Sequence, residues 1–187
     1  MRYLIGLIAI VLLFIVGSLL IGGNKKPTPT TPVMTLPDYA STDAKVSFNI
    51  GGAINGDDIH RAIRITVSRD QRLLETVQGY SGNVIDSHSQ YNTQNAYSIF
   101  LKAINNSGFL VVRKGAKTNI DYTAICPLQR RYALTLEKGG KTLSQLWTSD
   151  CGSATGDFGG AFDTIIALFQ NQITDYNTLT SQVVLNP

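Results

Sequence analysis

Apolar residues are distributed along this chain in three regimes. From Tyr3 to Ile21 they run almost without a break, 16 of them with no charge. Tyr3 to Gly23 is close to the roughly 20 residues a helix needs to cross a hydrocarbon core about 30 Å thick. From Pro27 to Pro37 the sequence changes to Pro-Thr-Pro-Thr-Thr-Pro-Val-Met-Thr-Leu-Pro, with four prolines and no charge. That composition favours an extended polyproline spacer of about 3.1 Å per residue. Beyond residue 44 apolar positions recur with short periods. The pattern therefore predicts a transmembrane signal anchor over 1–26, a Pro/Thr-rich linker over 27–43 and a folded domain over 44–187.

Within the domain, two segments share a plan when one is slid by 69 residues. Ile63, Ile65 and Val67 fall on Tyr132, Leu134 and Leu136, the alternation of a half-buried strand. Arg69-Asp70-Gln71-Arg72 falls on Lys138-Gly139-Gly140-Lys141, a turn in both places, and Leu74 and Val77 fall on Leu143 and Leu146 in the returning strand. Ala96, Ile99, Phe100 and Ile104 then fall on Ile165, Leu168, Phe169 and Ile173, at helical spacing. Asn92 or Thr93 can cap the first helix and Gly108 can end it. Asn83 to His88 reads as a third strand, its counterpart Gly152 to Gly160 as a loop, and Val46 to Ile50 as an additional edge strand. The predicted fold is α+β: an antiparallel sheet with two helices on one face, built from two hairpin-helix pseudo-repeats at about 61–109 and 130–176, plus the N-terminal transmembrane helix.

Composition narrows this picture. The chain of 187 residues is 43% hydrophobic and 16% charged; without the anchor the hydrophobic share falls to about 39%, ordinary for a globular domain. A disordered chain, a polytopic transporter and a multidomain enzyme are excluded. Residues 24–187 carry 15 basic and 13 acidic groups, too even a balance for nucleic-acid binding. His60, Arg61, Arg64, Arg69 and Arg72 nevertheless make a basic stretch along the first hairpin. It reads as a solvated sheet face, with docking of an acidic envelope polymer or lipid headgroup as the alternative.

Cys126 and Cys151 lie 25 residues apart beside predicted strands, with no C-x-x-C spacing and neither histidine nearby in sequence, so no metal site or cofactor is expected. They read as one structural disulfide, or else as two buried thiols. A disulfide requires an oxidising space and so places the domain outside the membrane. Arg2 before the span against Lys25 and Lys26 after it leaves the positive-inside count balanced or slightly adverse to that orientation. Cleavage after Gly22 or Gly23 is the alternative to a retained anchor. The expected location is the cell membrane, single-pass, with residues 3–23 in the bilayer and the domain facing outside.

Signals of chemistry are few. Gly139-Gly140-Lys141-Thr142 resembles the end of a phosphate loop, but Thr135 stands where that motif needs Gly or Ala; a two-residue hairpin turn explains it. Asp86 and His88 share a strand face, and Ser149-Asp150-Cys151-Gly152-Ser153 offers hydroxyls without a nucleophile elbow. Asp57-Asp58 follows Gly56 as a turn or cap does. No catalytic residue is nominated. Trp147 packs against the disulfide in one reading. In the other, Trp147 and Tyr80 project from the sheet as anchors for a partner or sugar ring, a question Tyr91 and Phe158 share. The candidate ligand surface is Tyr80, Trp147, Phe158, Arg61 and Arg64.

Trp147-Thr148-Ser149-Asp150-Cys151, Gly156-Asp157-Phe158-Gly159-Gly160 and Leu168-Phe169-Gln170-Asn171-Gln172-Ile173-Thr174-Asp175-Tyr176 resemble uncharacterised single-pass, membrane-anchored surface proteins of Saccharibacteria-type bacteria. His60-Arg61-Ala62-Ile63-Arg64-Ile65-Thr66-Val67-Ser68 and Ala96-Tyr97-Ser98-Ile99-Phe100-Leu101-Lys102-Ala103 carry the same likeness in the first half. The resemblance implies a bacterial source and a cell-surface setting and assigns no catalytic residue. The expected function is a membrane-anchored extracytoplasmic binding module, non-enzymatic, for an envelope polymer or surface protein. Two alternatives stand beside it. Cys126-Pro127, strand, turn, strand, Cys151 loosely resembles the disulfide-pinned region of bacterial subtilisin inhibitors, with Asp121 to Ile125 as the loop entering a protease. A hydrolase would use His88 with Asp86 or a nearby serine.

Overall fold

A computed structural model of the chain describes residues 34–117, 121–152 and 156–185; the anchor over 1–26 and the first part of the linker lie outside the described residues. Among the described residues no helix is long and apolar enough to cross a membrane. A 3-10 helix, Leu36–Ser41, comes first. It is followed by β1 (Lys45–Gly51), β2 (Arg61–Ser68), β3 (Gln71–Gln78), β4 (Asn83–Tyr91) and α1 (Gln94–Asn106). Then come β5 (Arg131–Lys138), β6 (Lys141–Ser149), α2 (Phe162–Gln170) and the single turn α3 (Tyr176–Thr180). The fold is α+β, with one antiparallel sheet of six strands in the order β4-β3-β2-β1-β5-β6.

Strict alternation explains the layering. Val46, Phe48 and Ile50 of β1, Ile63, Ile65 and Val67 of β2, and Tyr132, Leu134 and Leu136 of β5 point to one face and join a single core cluster. Tyr97, Phe100, Leu101 and Ile104 of α1 and Ile165 and Phe169 of α2 close over that face. Phe169 is the centre of the packing: Phe48 stacks on it at 5.5 Å and Phe100 meets it edge-on at 5.2 Å. The apolar stripe of α1 is therefore rotated from the expected one. Ile99 is 59% exposed, and Tyr97 takes its place because its hydroxyl donates to the Ala44 carbonyl at 2.9 Å. Thr93 Oγ1 caps the helix at the Ala96 amide, and Gly108 ends it at φ +82°.

Three further expectations are corrected. The strand around Val46–Ile50 is not an edge: β1 pairs with β2 on one side and β5 on the other, and β4 and β6 are the edges. The linker does not reach residue 43. Leu36 and Ala40 are buried in the core, and the Asp38 carboxylate accepts from Thr35 N and Oγ1 at 2.6 and 2.7 Å. These bonds cap the 3-10 helix and hold the Asp38 carboxyl below its ordinary range. The two hairpins also have opposite hands. β2 and β5 run the same way and bury the same face, yet β3 lies on one side of its partner and β6 on the other. The half-turn that superposes the two would bury opposite faces, and in the returning strands Leu74 is buried whereas its counterpart Leu143 is exposed.

Between β5 and β6 the turn is the expected pair of glycines, Gly139 at φ +57° and Gly140 at φ +72°. Cys126 and Cys151 form a disulfide across a Cα separation of 5.9 Å, pinning the segment before β5 to the end of β6.

Candidate functional site

The face of the sheet opposite the helices carries the other half of the alternation, and it is polar. One row across all six strands reads Ser89, Leu73, Thr66, Ser47, Thr135, Gln145; the next reads Ser87, Glu75, Arg64, Asn49, Ala133, Trp147. The right-handed twist of an antiparallel sheet makes such a face concave along one diagonal, and here it encloses a groove of about 490 Å³. Its charges are balanced. Lys45 pairs with Glu137 at 3.1 Å and Arg64 with Glu75 at 2.7 Å. Hydroxyls and amides from Ser47, Asn49, Thr66, Thr135 and Gln145 supply both donors and acceptors along the floor.

One end of the groove is walled by the segment that the disulfide holds. Tyr122 stacks on Trp147 with ring centroids 5.7 Å apart, and burial raises its phenol above the ordinary range. Beneath it lies Arg131, 5% exposed. Its guanidinium donates from Nη1 to the Thr123 carbonyl and from Nη2 to the Gly52 carbonyl, lying across Gly51, whose missing side chain leaves that space open. Burial pulls the guanidinium below its ordinary range. Beside it His60, also buried, gives Nδ1 to the Ala53 carbonyl at 2.9 Å and stacks on Tyr80 at 4.2 Å. A second cavity of about 210 Å³ lies here, sharing Asn49, Arg64 and Tyr122 with the groove.

The structure distributes the sequence-derived candidates unevenly. Tyr80, 54% exposed, stands at the rim of this second cavity, its hydroxyl donating to Asn55 O at 2.9 Å. Arg64 belongs to both cavities. Arg61 instead turns to the Asp58 and His60 carbonyls. Trp147 and Phe158 are 5% and 6% exposed, too buried to anchor a ligand. Trp147 shares the open side of the sheet but is covered by Tyr122 and by the loop whose Asp157 accepts from Trp147 N at 2.7 Å. Tyr91 is exposed, and its carbonyl accepts from Arg72.

The basic stretch does not assemble into one patch. Arg69 pairs with Asp70 in the hairpin turn, Arg72 clamps the Tyr91 and Gln172 carbonyls on the helix side, and His60 is buried. His88 Nε2 and Asp86 Oδ2 do meet, at 3.1 Å on the exposed edge strand. Ser87 and Ser89 alternate onto the opposite face, where Ser89 Oγ accepts from Gln71. The segment Asp121 to Ile125 is laid against the sheet through Tyr122 and the Thr123 carbonyl rather than projecting. Among the described residues no cluster of His, Cys, Asp or Glu could hold a metal ion.

Arg131 and Tyr122 are the residues that sequence reasoning missed. Neither carries a local signal, because each gains its role only when Gly52 and Trp147 arrive from elsewhere in the chain. No family model matches the chain, and no curated protein matches it.

Proposed function

We propose that the chain is a membrane-anchored, extracytoplasmic, non-enzymatic binding module that takes an envelope polymer along the open face of its sheet. The observation that carries the reading is the polar groove itself. A six-stranded sheet with helices on one side only leaves its second face to water, and here that face is concave and lined by alternating hydroxyls, amides and paired charges. Such a surface suits a polyhydroxylated chain, whose hydroxyls exchange hydrogen bonds with those side chains while Leu73 and Tyr122 add apolar contact. The proline-rich linker and the disulfide support an outside setting, as does the resemblance to surface proteins of Saccharibacteria-type bacteria.

The test is co-sedimentation of the full chain, held in a detergent without a sugar headgroup, with insoluble envelope polysaccharide. Thr66→Trp, which fills the middle of the groove, is the control. Retention of the native chain and loss with the variant is the expected result. If no envelope fraction retains the chain, the binding reading is wrong. On intact cells, a membrane-impermeant thiol reagent should label Cys126 and Cys151 only after reduction; labelling only after lysis would place the domain inside.

A further inference from the structure

A buried arginine normally faces a carboxylate, because an unpaired charge costs several kcal/mol to bury. Arg131 is the exception: among the described residues it pairs with no carboxylate, and its two Nη groups meet only backbone carbonyls. Asp121, two residues before the carbonyl that Arg131 meets, instead accepts from Thr123 N and Oγ1 at 3.0 and 2.6 Å. The cavity over Arg131 includes Arg64 and no acidic side chain. Each Nη and the Nε retains an N–H beyond these bonds, and the planar fork suits a carboxylate in two-point contact. The rings of Tyr80, Tyr122 and His60 line the same cavity. Aromatic faces accept the C–H face of a pyranose ring. Because Nδ1 of His60 donates to a carbonyl, its Nε2 is the acceptor of the neutral ring and can take a sugar hydroxyl.

We infer that the cavity floored by Arg131 is a carboxylate subsite at the end of the groove, and that the ligand is an acidic polysaccharide, a sugar chain bearing carboxylates. This rests on the binding reading above and adds the charge of the ligand and the position of its anionic group. The balanced pairs Lys45–Glu137 and Arg64–Glu75 take the neutral part of the chain, and the uncompensated guanidinium takes the anion. Arg131 is already only 5% exposed in the folded protein, so most of the desolvation on binding falls on the carboxylate.

The test uses the full chain and calorimetric titration with hexagalacturonate, its methyl ester, maltohexaose and succinate. The native chain should bind the acid at least about ten-fold more tightly than the methyl ester, the size of one charge-assisted bidentate contact. Addition of salt should narrow that gap, and Arg131→Gln, with its fold checked by circular dichroism, should abolish it. Comparison of acid with ester needs no variant and holds even if Arg131→Gln fails to fold. Equal affinity for acid and ester overturns the carboxylate subsite while leaving the binding module intact. Succinate binding as tightly as hexagalacturonate overturns the polymer. If none of the four binds, the acidic-polysaccharide inference falls; the co-sedimentation result then decides the binding reading separately.

Discussion

Reducing the Cys126–Cys151 disulfide should destabilise the domain and loosen one end of the groove before anything else. The bond closes a loop of 25 residues. In the chain-entropy treatment this restricts the unfolded state by about 12 cal/mol/K, or about 3.5 kcal/mol at room temperature. Part of that is regained, because Cys126 is held at φ +59°. This is left-handed backbone that costs a non-glycine residue about 1 kcal/mol, and a free thiol can relax out of it. The net loss is therefore about 2.5–3.5 kcal/mol, a large share of the roughly 5–15 kcal/mol total for a domain. With a urea m-value of about 2 kcal/mol/M, the midpoint should fall by about 1.2–1.8 M.

Trp147 reports the local event, because it is the single tryptophan of the chain and is stacked beneath Tyr122. Its emission should shift to the red on reduction at urea concentrations where the far-ultraviolet signal is still native. A midpoint shift below about 0.5 M, with the m-value unchanged, would refute the cross-link argument. An unshifted tryptophan would refute the claim that the disulfide holds the wall of the groove.

Two further outcomes follow from the core. Tyr97→Phe removes the hydroxyl that satisfies the Ala44 carbonyl in a fully buried place, and should cost about 1–2 kcal/mol in urea unfolding; no loss would mean that water reaches that carbonyl. Tyr132, whose hydroxyl donates to Asp150 at 2.9 Å, is pushed up to about 12, by burial first and the neighbouring carboxylate second. A phenol whose folded value is raised contributes stability below the unfolded value of about 10 and loses it as pH climbs toward 12. Ultraviolet titration should show this tyrosine ionising well above pH 10 or only with alkaline unfolding; ionisation near pH 10 in a folded chain would contradict its burial.

Local pattern was enough for most elements. Alternation at Ile63, Ile65 and Val67 and at Tyr132, Leu134 and Leu136, the Gly139-Gly140 turn, the Thr93 cap and the Gly108 stop are all decided by neighbours within a few residues. The Thr35 and Asp38 spacing was also there to be read, with Leu36 and Ala40 one helical turn apart, but the prolines around it masked the signal. The site was less legible. Tyr80 and Arg64 fall in it; Arg131 and Tyr122 carry no mark, and Trp147 and Phe158 admit both a packed and a projecting reading because aromatic residues near turns serve cores and surfaces alike.

What the sequence determined by itself is which residues could bury a face: side-chain period and backbone preference are properties of short segments, and they specify strands, turns and helices without knowledge of partners. What only the tertiary structure decided is who stands beside whom. Alternation in β1 says that one face is buried but not whether one or two neighbours bond its edges, so its central place came from β2 and β5 jointly. The same holds for Arg131, whose two carbonyls lie 8 and 79 residues away in the chain. Pairing across such separations depends on loop closure and on the fit of the whole core. It is at those long-range meetings, under Tyr122 and over Gly51, that a strand face became a groove with a charged end.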